Sequence, residues 1–212
     1  DSLIQSVHSS LKKEMDSAKS VLKRIATDPN TRIYKSKIGV DLKYIFRILE
    51  GGAIETIGGY NDSGVFVASN FILNVDLSKR DYFQKIKTRK DTFAIEPVIS
   101  RTDGKFEMVF ATRNKVRSKD IKGFVTGLSV NPKSVSNAIL PKGNQIALIN
   151  REGKVILHTV TSRNMQENLV DELQNGEELK ALIKAGVPGL IDSRYFEKQC
   201  EIHVKPLEGY PG

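Results

Sequence analysis

The chain has 212 residues, 39% of them hydrophobic, and a formal net charge of +8 from 33 Lys and Arg against 25 Asp and Glu. That is the composition of an ordinary globular chain, long enough to bury about 70% of its unfolded surface in one domain or two small ones. No apolar run approaches the 18 residues of a membrane span, and the first residues carry no signal-peptide pattern.

The single cysteine, Cys200, excludes an internal disulfide and suits either a reducing compartment or an exported domain without disulfides. His8, His158 and His203 lie far apart, so no metal centre and no cofactor is expected. The positive charge raises nucleic acid or an anionic membrane surface as a partner. The bases are spread along the chain, however, with acids among them. The densest cluster, Lys115-Val116-Arg117-Ser118-Lys119, runs straight into Asp120 and reads as a solvated hairpin tip, so no nucleic-acid partner is expected.

In chain order, residues 2–27 predict one long helix. Its apolar positions Ile4, Val7, Leu11, Met15, Ala18, Leu22 and Ile25 recur every three or four residues, and Asp28-Pro29-Asn30 ends it. Such a helix is about 40 Å long. It can lie along its own sheet, or its stripe can serve as a dimer contact and a lead-in from a membrane segment. A short second helix is expected over 39–49, stopped by Gly51-Gly52. Strands follow at 54–60 and 65–69, joined by the turn Asn61-Asp62-Ser63-Gly64. Further strands are expected at 94–101 and 106–112, around Thr102-Asp103-Gly104-Lys105, and at 123–130. Five antiparallel strands with helices before and among them make an α+β layer structure.

Between the second and third strands, Val75-Asp76-Leu77-Ser78-Lys79-Arg80-Asp81-Tyr82-Phe83 concentrates acids, bases and aromatics. Asp76 or Ser78 can cap a helix running roughly from Lys79 to Thr88. Arg80 and Tyr82 would then flank its N-terminus, where free N–H groups favour an anion. The plainer alternative is a capped helix with a surface Arg80–Asp81 pair.

After Asn131-Pro132-Lys133, which begins a short helix or crossover, the pattern restarts. The stretch from Gln145 to His158 repeats the earlier strand–turn–strand, with Asn150 matching Asn61 and Gly153 matching Gly64. Residues 164–185 read as polar helix and 201–206 as a late strand. A second sheet would need one more strand, so the chain is expected to be an excised piece of a longer protein.

The order of these elements, with the segments 76–83 and Glu96-Pro97-Val98-Ile99-Ser100-Arg101-Thr102-Asp103-Gly104-Lys105, resembles the double Cache sensor domains over nearly the whole chain. The resemblance implies a long N-terminal helix followed by two PAS-like modules with antiparallel sheets. Residues 1–50 would hold the two helices, 51–140 a membrane-distal ligand-binding module, and 141–212 a membrane-proximal module truncated at its C-terminus. It also implies a periplasmic or extracellular sensor, anchored in the inner membrane by its parent and dimeric through the N-terminal helix. The parent would carry a histidine kinase, chemoreceptor or cyclic-dinucleotide output.

Site residues carry over singly. Arg80 matches the family's ligand-carboxylate Arg. Tyr82-Phe83 stands where the amino-acid-binding branch has Trp-Tyr, and Val75 where it has Tyr. Ser129 falls at the place of its amine-binding Asp. Glu96, Val98 and Ser100 share one strand face by alternation and line the expected pocket. Asp76 and Asp81 would support Arg80 from behind. The carboxylate grip is present and the amine grip is not, which points to a small organic acid rather than an α-amino acid. Glu96 could replace the missing acid or could point to solvent.

Enzymatic activity is not expected. Ser100, Ser129, His158 and His203 stand in no catalytic motif, and Gly51-Gly52 and Gly58-Gly59 lack a phosphate loop's Gly-Lys-Ser/Thr ending. A sensor regulated by a partner protein, without a small ligand, is the alternative function.

Overall fold

The computed structural model describes residues 2–27, 54–60, 66–69, 76–88, 92–101, 104–113, 115 and 125–210. The expected helix at 39–49, the turn at 61–64, Val65, Val75, Thr102, Asp103, residues 116–119 and Gly123-Phe124 lie outside them.

Helix α1 spans Ser2–Thr27. Its predicted stripe is used up inside the chain: Leu11, Met15, Ala18, Leu22 and Ile25 are all buried, with Ala26 beside them. The dimer reading of that stripe therefore fails from Leu11 onward, because a side chain already buried has no surface left to offer a second copy. No helix among the described residues is long and apolar enough to cross a membrane.

The chain divides into two compact units, residues 14–131 and residues 1–13 with 132–212. In the first, β1 (Ile54–Tyr60), β2 (Phe66–Ser69), β3 (Phe93–Ile99), β4 (Phe106–Arg113) and β5 (Val125–Val130) form one antiparallel sheet in the order β2-β1-β5-β4-β3. β5 is buried at every position, as a central strand must be. Two hairpins thus flank a strand that follows them both.

Side-chain alternation gives the sheet two working faces. Phe93 and Phe110 meet edge to face on one of them, at 5.8 Å, and the Lys19 ammonium lies 4.9 Å from the Phe93 ring centroid. This is the α1 side. The other side takes α2 (Asp81–Lys87). Tyr82, Phe83 and Ile86 of α2 close a core with Ala94, Val98, Val109, Ala111 and Val125, and Leu77 packs at its edge. Seven residues are too few to hold a helix on propensity. Burial of each aromatic ring, about 2 kcal/mol apiece, is what fixes α2 to the sheet.

In the second unit, α3 (Lys133–Ser136) leads to the hairpin β6 (Ala147–Ile149) and β7 (Val155–His158). Its turn is organised by the Asn and Gly that the sequence repeat singles out. Asn150 Oδ1 accepts from the N–H groups of Glu152 (3.1 Å) and Lys154 (2.8 Å), and Gly153 takes φ +83°. A 3-10 turn at Thr161–Arg163, α4 (Leu169–Glu172) and α5 (Gly176–Ala185) replace the expected continuous helix. Asn168 caps α4 at the Val170 N–H (2.9 Å), and Gly186 ends α5 in the left-handed conformation.

A hairpin closes the unit: β8 (Gly189–Tyr195) and β9 (Lys198–Val204). The late strand expected at 201–206 is the end of β9, which starts three residues earlier. β8 has no counterpart in the sequence reading. Leu173, Leu179 and Ile191 centre the core of this unit.

Candidate functional site

The α2-facing side of the five-stranded sheet gathers most of the residues singled out above. Register sets Glu96 of β3 opposite Val109 of β4, Val109 opposite Ser129 of β5, and Ser129 opposite Thr56 of β1. A neighbouring row is small throughout, Ala94, Ala111, Gly127 and Gly58. Both rows lie on the face that α2 covers.

Helix α2 starts at Asp81, not Lys79, with Arg80 as its N-cap residue. Neither Asp76 nor Ser78 caps it. Asp76 Oδ1 instead accepts from the Ser78 N–H (2.8 Å), making a turn before the helix. That N–H and the Ser78 hydroxyl hold the Asp76 carboxyl below the usual range, with Arg101 and Lys79 adding to the effect.

The first turn of α2 is satisfied from the sheet. The Tyr82 N–H donates to Glu96 Oε2 at 2.5 Å. Glu96 therefore points at the helix, not to solvent, and puts the chain's own carboxylate where an anion was expected. Burial pushes its pKa up, and Asp81 pushes the same way. The Tyr82 N–H, Arg80 and Lys85 pull it back.

The other end is held in kind. Arg113 of β4 donates through Nη2 to the Ile86 carbonyl (3.0 Å) and the Lys87 carbonyl (3.0 Å). An acid at the N-terminus and a guanidinium at the C-terminus both suit the helix dipole. Two further arginines fasten the approach to α2. Arg80 Nη2 donates to the Ile99 carbonyl (2.9 Å), and Arg101 Nη1 to the Asp76 carbonyl (2.9 Å). Arg80 is thus directed at the end of β3, and Asp81 stays exposed beside it. One of its five N–H donors is used there.

Tyr82, Phe83 and Val98 are buried in the core under α2. Ser100 sits at the hairpin end, where its N–H donates to the Lys105 carbonyl (2.8 Å). Ser129 is buried, and its hydroxyl donates to Glu107 Oε2 at 2.9 Å. Glu107, itself buried and opposite Val98, is a residue the sequence reading missed. The β3–β4 register puts it on the face of Glu96 and Val98, and the sequence alone does not state that register. Arg101 and Arg113 were missed as well.

The structure therefore unites Glu96, Val98, Tyr82 and Phe83 in one patch, with Arg80 at its edge, Glu107 opposite Val98 on β4 and Ser129 one strand further in on β5. Residues 14–131 contain no histidine and no cysteine, and the polar groups of the patch are carboxylates, hydroxyls and a guanidinium. Among the described residues no group of His, Cys, Asp and Glu is placed to hold a metal ion.

No family model matches the sequence, and no curated protein does. Solved structures match over almost all of it. The ligand-binding domain of the Pseudomonas aeruginosa PAO1 amino acid chemoreceptor PctB, in complex with L-Gln, superposes with a TM-score of 0.69 at 12% identity, covering 100% of this chain and 84% of that one. The ligand-binding domain of the chemoreceptor PctC from the same organism, in complex with GABA, gives 0.63 at 16%, covering 98% and 91%. The sensor domain of the V. cholerae histidine kinase DctB gives 0.61 at 12%, covering 95% and 88%. At such identities the likeness establishes the fold. This chain has the double Cache fold, an α+β arrangement of a long N-terminal helix followed by antiparallel sheets.

Proposed function

We propose that this chain is the extracytoplasmic sensor domain of a membrane receptor, binding a small carboxylate beneath α2 in the membrane-distal module. The observation that carries the proposal is the fold shared with the ligand-binding domains of receptors over nearly the full chain. The architecture of α2 agrees with it. That helix is short and is fixed to its sheet by buried Tyr82, Phe83 and Ile86, with polar contacts at both of its ends, so a molecule bound at its edge acts directly on the layer it forms. Arg80, at the edge of the patch, supplies the planar donor fork that suits a carboxylate. L-Gln and GABA, named with two of the similar structures, both bear one.

Ser129 alone offers a ligand ammonium no negative charge. Glu107, bonded to Ser129, brings an acid to that place. Plain organic acids and amino acids are therefore the two arms to compare. A thermal-shift screen over organic acids, amino acids, amines, purines and sugars tests the proposal. Ligand at 100 times its dissociation constant stabilises the fold by about 2.7 kcal/mol. A rise with carboxylates supports the reading, and a flat screen on folded protein removes it.

One observation favours the partner-regulated alternative. Tyr82, Phe83 and Val98 are already packed, and Glu96 already satisfies the Tyr82 N–H. A flat screen with intact folding would move the assignment there.

A further inference from the structure

Each unit sends an arginine from the segment after its first hairpin to the end of the strand that follows. Arg80 lies between β2 and β3 and meets Ile99, the last residue of β3. Arg163 lies between β7 and β8, and its Nη1 donates to the hydroxyl of Tyr195, the last residue of β8 (2.7 Å). The same Nη1 donates to Gln145 Oε1 (3.2 Å). The guanidinium carbon lies 5.0 Å from the centroid of the Tyr195 ring and 5.0 Å from that of Phe196, aromatic faces that suit a guanidinium.

The chain holds these rings in place against its own backbone preference. Phe196 and Glu197 both take left-handed φ, 47° and 62°, which side chains with a Cβ disfavour. Phe196 stays 53% exposed, so core burial does not offset that turn; its ring lies instead against Tyr195, with centroids 4.7 Å apart, and against Arg163.

What this arrangement receives is a carboxylate of the same chain. Glu167 Oε1 lies 3.4 Å from Arg163 Nε, and Glu167 Oε2 accepts from the Tyr195 hydroxyl. Each oxygen thus has its own donor. Burial, followed by the bond to Glu167, pushes the Tyr195 pKa up, so the hydroxyl keeps its proton at ordinary pH. The backbone here is placed without help from that carboxylate. The Val155 N–H donates to the Glu167 carbonyl (2.9 Å), and the Met165 N–H to the Val155 carbonyl (2.8 Å).

We propose that Arg163 and Tyr195 form a carboxylate-binding site in this unit, and that Glu167 occupies it as a resident ligand and closes the unit to free carboxylates. A free acid must compete with one tethered a few residues away, at an effective concentration on the order of millimolar or higher. Removing the tethered group opens the site to a small acid of the same chemistry. This inference stands apart from the proposal for Arg80, whose site is intact in every variant below.

Acetate is the probe, with chloride at equal ionic strength as the control. Glu167→Ala should melt about 2–4 °C higher in acetate at about 100 mM than in chloride, and wild type should show a smaller difference or none. Adding Arg163→Gln to Glu167→Ala should abolish the gain, which separates this site from any effect of acetate at Arg80. If Glu167→Ala does not fold in either salt, Glu167→Gln replaces it. Its neutral amide leaves the Arg163 charge uncompensated, so acetate should again stabilise it more than wild type. An acetate effect equal in wild type and in the folded variant overturns the proposal, as does one that survives the loss of Arg163.

Discussion

Glu96 joins the two layers of the candidate site, and its chemistry makes the sharpest residue-scale prediction. Its folded pKa is raised above the ordinary carboxylate value, chiefly by burial. Its contribution to stability is thus fully present below the unfolded pKa and is lost as pH rises through the folded one. Glu96→Gln keeps an acceptor for the Tyr82 N–H and removes that titration, so melting curves taken upward from pH 4.5 should show a flatter profile than wild type. Glu96→Ala removes the acceptor and should cost about 1–3 kcal/mol, the penalty for a buried N–H left without a partner. His158 predicts the opposite sign in the other unit. It is buried, its Nδ1 accepts the Val160 N–H (2.8 Å), and burial followed by the Arg163 charge lowers its pKa. Its contribution is present above the unfolded value near 6.5 and is lost as pH falls through the folded one. Melting at pH 7.5 and pH 5.5 should show the loss, and His158→Gln should reduce it. At this scale the sequence shows which residues matter better than what they touch. Glu96 stands out in it, but its partner lies on α2, 14 residues earlier, and no local pattern records such a distance. Glu107 does not stand out, because an acid in a strand reads as solvent-facing until its cross-strand neighbour is known.

At the scale of elements, α2 is a seven-residue helix that depends on its sheet. Arg113→Ala removes two charge-assisted bonds from its last turn and should destabilise the unit by about 2 kcal/mol. Amide exchange in 84–88 should rise more than in β4, because both of those bonds end on helix carbonyls. The turn glycines give a paired prediction. Gly104 and Gly153 both have positive φ, +71° and +83°, but a Cβ on Gly104 meets nothing within 4 Å, whereas on Gly153 it lies 2.4 Å from Val170 Cγ2. Gly104→Ala should cost about 1 kcal/mol and Gly153→Ala distinctly more, since strain there is joined by a clash. Urea midpoints of the two variants provide the comparison. The boundaries of β1, β3, β4 and β5 are legible in the sequence within about two residues, because alternation and Gly-rich turns are local signals. The hairpin β8–β9 is not. Its turn is Phe196-Glu197, both at positive φ (47° and 62°), where Asn-Gly would have announced it.

For the whole molecule, the division of the apolar residues of α1 is instructive. A stripe with spacing close to a coiled-coil seam is readable, but a stripe does not name its partner, and from Leu11 to Ile25 it is buried within this chain. Fold class is legible for a different reason: the order of two hairpin pairs around helices is a global pattern that survives errors in any one element. On the proposed function, the patch under α2 receives a small carboxylate through Arg80. Titration calorimetry of the best hit from the ligand screen, against wild type and Arg80→Ala, tests it most directly. Arg80→Ala loses its bond to the Ile99 carbonyl, about 1 kcal/mol, and should stay folded. Binding to this variant should fall at least about tenfold, or 1.4 kcal/mol, with the fold retained. Wild-type affinity in a folded Arg80→Ala would contradict it and send the search for the ligand to another surface.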